Sequence, residues 1–227
     1  VRGYESYLLG PEIGHIPISN LYEVFVLFAL MTALLYLYYE GRYATRRMGA
    51  FVMIVISAAV AFLLWYTFTR DAHEIQPLIP ALQSYWMKVH VPTNFIGYGA
   101  FAVSAMVGTA YLLAERGIIA TRLPTLRVLE DVMYKAIAIG FAFFTIATIL
   151  GALWAAEAWG TYWQWDPKET WALIVWLNYA TWLHMRLTKG LRGAVLAWWA
   201  VVGLLVTTFA FVGVNMFLTG LHSYGAL

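Results

Sequence analysis

The sequence predicts an all-α polytopic membrane helix bundle of six transmembrane spans, with the N- and C-termini outside. Three observations predict it. Of 227 residues, 62% are hydrophobic and only 11% are charged, whereas a soluble domain carries about a quarter charged residues. Six stretches are apolar enough, and close enough to the roughly 20 residues a bilayer core requires, to be read as spanning helices. The basic residues fall unevenly on the two sides of those stretches.

The six spans are Leu21–Tyr39, Ala50–Phe68, Phe95–Leu113, Ala136–Ala156, Trp171–Leu187 and Ala194–Gly213, each bounded by charge, Pro or Gly. The third is expected to start at Phe95, with Pro92 marking its first turn, a position proline favours. The fifth is the shortest and most aromatic, with no charge before Arg186. Arg42, Arg46 and Arg47 follow the first span, Arg116, Arg122, Arg127 and Lys135 the third, and Arg186, Lys189 and Arg192 the fifth. The opposite side holds only Arg2, Arg70, Lys88 and Lys168. An excess of Lys and Arg marks the cytoplasmic side, so the loops 69–92 and 157–170 are expected outside.

Composition also excludes several classes. There are no cysteines, which removes disulfides, thiolate metal ligands and thiol redox chemistry from the chain's own repertoire. A net charge of +2 is too small to suggest a nucleic-acid partner. No linker, repeat or low-complexity tract divides the chain, so 1–227 reads as a single integral-membrane domain. It begins Val-Arg-Gly-Tyr, with neither an initiator Met nor a secretory signal pattern, and further N-terminal sequence is expected.

The five histidines sort by side. His15 lies in the outer N-terminal segment, His73 in the first outer loop, His90 just before the third span and His222 after the sixth; only His184 lies within a span. His90 and His222 therefore share a membrane face with the loop 157–171. That loop holds Trp159, Trp163, Trp165 and Trp171, interleaved with Gly160, Asp166, Pro167 and Glu169, with Trp154 just upstream. A lone Trp there would be an interface anchor. Four in one short segment exceed what anchoring needs, and rigid flat rings make a platform for another flat molecule. Two histidines flanking such a platform are suitable axial ligands for a haem iron. His15 and His73, in segments expected to be exposed and without a motif, carry no functional reading. Asp166 and Glu169 fit a helix cap better than a ligand role. Lys88, Arg70 and Lys168 are outer cations within reach of haem propionates, although for each of them simple solvation is the stronger reading.

The run WGTYWQWDPKETW resembles the tryptophan-rich WWD segment of haem-handling proteins in cytochrome c biogenesis, most of all the CcsA (ResC) branch. The resemblance extends to PLIPALQSYWMKVH at 77–90, SNLYE at 19–23 and GVNMFLTGLHSYG at 213–225. It implies that His90 and His222 ligate haem on the outer face, beside Trp159, Gly160, Trp163, Trp165 and Asp166. It implies that His184 belongs to a second, transmembrane haem site whose partner histidine lies in another protein of the CcsB (ResB) type. Spacing agrees that one iron cannot serve both levels: His184 is thirteen residues past Trp171, about 20 Å along a helix. From spacing alone, His184 reads equally as a ligand beside small Ala180 and Thr181 or as a packed helix contact; the resemblance favours the ligand.

The implied function is cytochrome c biogenesis at a bacterial or thylakoid membrane. The protein would receive haem b as substrate and bound ligand and support its thioether attachment to the CxxCH segment of apocytochrome c. It would then be a component of a cytochrome c haem lyase (holocytochrome c synthase), with a CcsB (ResB)-like subunit, thiol-reducing proteins and the lipid bilayer as partners. A CcmC-type protein, which passes haem to a chaperone without attaching it, is the nearest alternative. A b-type electron-transfer subunit would need paired histidines inside the spans. A transporter with a structural Trp belt would bind no haem.

Overall fold

The computed structural model describes residues 2–10, 13–70 and 74–222. His73, the side chain of Arg70 and residues 223–225 of the last motif lie outside the described residues. Helices and their connecting turns account for the ordered elements, with no strand among the described residues. They are α1 (Arg2–Leu8), α2 (Leu21–Tyr43), α3 (Gly49–Arg70), α4 (Tyr85–Glu115), α5 (Leu126–Trp159), α6 (Pro167–Thr188), α7 (Ala194–Thr208) and α8 (Val214–Phe217). A π-turn, Phe209–Gly213, joins α7 to α8 without interrupting the rod.

Five helical segments are long and apolar enough to cross a membrane: α2, α3, α4, α5 and the α7–α8 rod. The expected fifth span exists as the 22-residue α6, about 33 Å long, yet it is not among those five. Lys168, Glu169, Asn178, His184 and Arg186 within it lower its apolar content. The outward faces of α2, α3 and α7 expose Leu30, Leu34, Met53, Ile54, Leu64, Trp198 and Leu205. Bands of that kind suit lipid rather than water, and the chain is a helical membrane protein.

Two boundaries differ from expectation. α4 begins at Tyr85 rather than Phe95, so Pro92 lies inside the helix and His90 within it rather than before it. Ser84 caps the earlier start by accepting from Trp86 N at 3.2 Å. An internal proline removes one ladder bond, here the one that would reach Lys88 O, a loss that membrane helices tolerate. α5 has 34 residues, about 50 Å, and starts ten residues earlier than hydropathy suggests. Its charged first turns persist as helix because their charges are paired. Arg186 of α6 meets Glu130 at 2.9 Å, Gly193 N donates to the same carboxylate at 3.3 Å, and Lys135 meets Asp131 at 2.8 Å. The two Glu130 contacts tie α6 and the start of α7 to the start of α5.

α4 is the central helix, packing on α5, α7, α2 and α3. Its small residues permit the approach: a Cβ on Gly99 would lie 3.0 Å from Thr32 N of α2, and one on Gly108 would lie 3.0 Å from Ala197 O of α7. The antiparallel arrangement gathers the start of α4, the end of α5, the start of α6 and the end of the α7–α8 rod at one end of the bundle.

Candidate functional site

At that end the four elements form a cleft lined by His90, Trp154, Trp163, Lys168 and His222, among others. His90 reaches it from the second turn of α4. Its Nδ1 bonds Ala147 O at 2.7 Å, and its ring packs against α5 where Gly151 has no side chain. A Cβ there would come within 2.9 Å of His90 Cε1 and 3.1 Å of Nδ1. His222 arrives just after α8, and its Nδ1 bonds Asp166 Oδ1 at 2.9 Å.

Asp166 is the N-cap of α6. It accepts from Lys168 N at 2.9 Å and from Leu221 N at 2.6 Å, while Glu169 Oε2 accepts from Asp166 N at 3.1 Å and Gln164 N at 2.8 Å. This capping box confirms the cap expected at Asp166 and Glu169. The same carboxylate also orients His222, which the cap alone would not require. Gly220 has to be small for this purpose, because a Cβ on it would run into Asp166.

Trp154 packs against both imidazoles. Its ring centroid is 6.0 Å from that of His90 and 5.4 Å from that of His222. Trp159 packs 4.6 Å from His222 and 5.1 Å from Trp154. Trp154 Nε1 donates to Ala81 O at 2.8 Å, tying the cleft to the PLIPALQSYW segment.

The electrostatics set the tautomers. A carbonyl facing His90 Nδ1 and a carboxylate facing His222 Nδ1 both require a proton on Nδ1 in the neutral ring, so each Nε2 keeps its lone pair. Burial lowers the basicity of His222, while Asp166 opposes that shift. An imidazole whose Nδ1–H is held by a carbonyl or carboxylate is the usual form of a metal-ligating histidine. His90 and His222 are thus the residues able to hold a metal-centred group in this cleft.

The family model described as cytochrome C assembly protein matches residues 18–222. The chain belongs to the cytochrome c assembly protein family. Relatives named cytochrome c biogenesis protein CcsA include that of Chlamydomonas reinhardtii, 38% identical over 217 residues. Those of Parasynechococcus marenigrum and Chlorella vulgaris are 37% and 36% identical. The alignments take in 93%, 94% and 95% of this chain, and the chain spans 62% of the Chlamydomonas protein's length and 79% of each of the other two.

In this cytochrome c assembly protein the remaining site candidates separate. Trp163 lines the cleft. Trp165 is 67% exposed and stands perpendicular to Trp163 at 5.8 Å. Its backbone has φ 58°, a strained state for a bulky residue, held because Glu169 binds the amides on both sides of it. Gly160 ends α5 in the left-handed conformation, φ 81°, the usual glycine helix stop.

His184 is not brought to the cleft. It lies exposed on α6, on one stripe with Ile174, Leu177 and Thr181. His15, expected to be exposed, is not. Its side chain is 6% exposed, with Nε2 2.7 Å from Ser19 Oγ, and Ser19 Oγ donates to Glu23 at 2.8 Å. The SNLYE segment folds the preceding stretch of chain back onto the start of α2, so His15 is a structural tie. Sequence reasoning missed Gly151 and the central place of Trp154. The signal was helical spacing, since Ala147, Gly151 and Trp154 fall on one face of α5.

Proposed function

We propose that this protein presents haem b at the outer end of the bundle and supports its covalent attachment to apocytochrome c. It would act as a haem lyase component with a CcsB (ResB)-like subunit and thiol-reducing proteins. The observation that carries the reading is the pair His90 and His222, each with Nδ1 fixed and Nε2 available, both packed against Trp154 in one cleft. A role in cytochrome c maturation agrees with the name borne by the relatives. In this reading α6 is the sixth span, and the cleft faces the periplasm, extracytoplasmic space or lumen.

His90 and His222 hold the iron, Trp154, Trp159 and Trp163 wall the ring, and Asp166 fixes the tautomer of His222. Haem contributes its two vinyl groups; each substrate thiol adds across one of them, sulfur to one carbon and hydrogen to the other. The chain has no nucleophilic thiol of its own, so its contribution is positioning and orientation of the bound group. The CxxCH histidine then displaces one of the two protein imidazoles.

The test is attachment with purified protein, its partner subunit, haem and a reduced CxxCH peptide, with no haem chaperone present. Thioether product read by mass spectrometry is the expected result. Haem bound with low-spin bis-histidine absorbance but released only to a chaperone would replace attachment with delivery of the CcmC type. Purified protein without haem absorbance would remove the haem reading.

A second expectation follows from the packing of His90. Gly151→Val should push the imidazole off α5, because the Cβ alone already meets the ring. Overpacking of this kind costs about 1–3 kcal/mol. The variant should therefore still fold while its haem content per folded protein falls sharply. Wild-type haem content in that variant would show that His90 is not held in place by this contact.

A further inference from the structure

Among the described residues that line the cleft, one carries a lysine ammonium. Lys168, in the first turn of α6, donates Nζ to Phe211 O at 3.0 Å. Asn215 Nδ2 donates to the same oxygen at 3.3 Å, and both side chains line the cleft. Phe211 sits in the π-turn Phe209–Gly213, a widened turn of the kind that often marks functional positions in helices. A cationic donor and a neutral donor thus converge on a single neutral acceptor.

The neighbouring carboxylates are already committed. Asp166 binds His222, Leu221 N and Lys168 N, and Glu169 binds the amides of Gln164 and Asp166. Among the described residues Lys168 forms no ion pair. A half-buried ammonium whose partner is a carbonyl is poorly compensated, and a carboxylate is the stronger acceptor for it. Asn215, beside it, supplies a donor for the second carboxylate oxygen.

We propose that Lys168, assisted by Asn215, recognises a carboxylate of the porphyrin held between His90 and His222, and so makes the cleft selective for the free diacid over an esterified ring. The proposal rests on the haem reading of the cleft. Lys168 is a specificity-determining residue in this role. Lys168 Nζ and Asn215 Nδ2 both rest on Phe211 O, and the porphyrin carboxylate takes over both donors.

The experiment compares haem with haem dimethyl ester, which carries the same iron and ring, by absorbance titration of the full chain in detergent. The unmodified protein should bind haem about tenfold more tightly than the ester, the size of one charge-assisted hydrogen bond. Lys168→Met should lose that preference by weakening haem alone, and Lys168→Arg should largely keep it. Equal affinity for diacid and ester in the unmodified protein would overturn the proposal without any variant. A Lys168→Met protein that keeps the full preference would overturn it too. In both cases low-spin binding sensitive to His90→Ala would leave the haem reading intact. If the unmodified protein binds neither compound, the haem reading fails and this proposal falls with it.

Discussion

Replacing His90 or His222 with Ala should strip the cleft of haem while leaving the bundle folded. Each imidazole leaves its Nε2 outside the orienting bond, and each is oriented by a single acceptor, Ala147 O or Asp166. Loss of an orienting partner typically costs about 10–100-fold in metal affinity. Loss of the ligand itself should cost at least as much, with attachment falling in proportion and added imidazole partly restoring both. Asp166→Asn should show the smaller, orienting effect. The fold should tolerate His222→Ala because Asp166 keeps its bonds to Leu221 N and Lys168 N.

Acid should mimic the His222 change. The neutral ring binds iron, and burial holds His222 below its ordinary value. Protonation, and with it haem release, should therefore set in at a pH below the usual imidazole value of about 6.5. His15→Ala is the control: it removes a tie to Ser19, so it should lower thermal stability without changing haem per folded protein. Wild-type haem retention and wild-type attachment rates in both the His90 and the His222 variants would end the ligand assignment.

Co-expression with a partner membrane protein should add a second haem equivalent that disappears with His184→Ala. His184 lies on the exposed stripe of α6 with Ile174, Leu177 and Thr181, about 20 Å from the cleft along the helix. Facing outward, it can take a second ligand from a neighbouring protein's helix, and this chain supplies no second histidine at its level. The chain alone should show one bis-histidine signal, which His184→Ala leaves nearly intact. Met53, Met106 and Met133 are the alternative donors in the sequence, but Met106 and Met133 lie within the bundle and Met53 is on α3. Two low-spin bis-histidine haems per chain, purified without any partner, would overturn this account.

Much of the site was legible because membrane topology sorts residues by face. The placing of the spans puts His90, His222 and the Trp run at one end of the bundle, and of these His90, His222 and Trp163 line one cleft there. The helix boundaries were less legible. Hydropathy sees neither Ser84 capping α4 ahead of Pro92 nor the paired charges that carry α5 back to Leu126. The same blindness affects α6, whose polar residues find partners in the fold, as Arg186 does with Glu130 and Asn178 with Trp199.

The sequence by itself determined an all-helical membrane chain, the gathering of two histidines and a Trp-rich loop, and the separation of His184 from them. These follow from apolar length, charge asymmetry and rise per residue, which are properties of the chain before it packs. Only the tertiary structure decided that Trp154 packs against both imidazoles, that Gly151 seats one of them and that the α6 cap orients the other. It also turned His15 from an exposed residue into a buried tie and brought Lys168 and Asn215 onto one carbonyl. Those outcomes depend on which side chains from distant segments meet, and such contacts are fixed by helix packing across the cleft rather than by any local pattern.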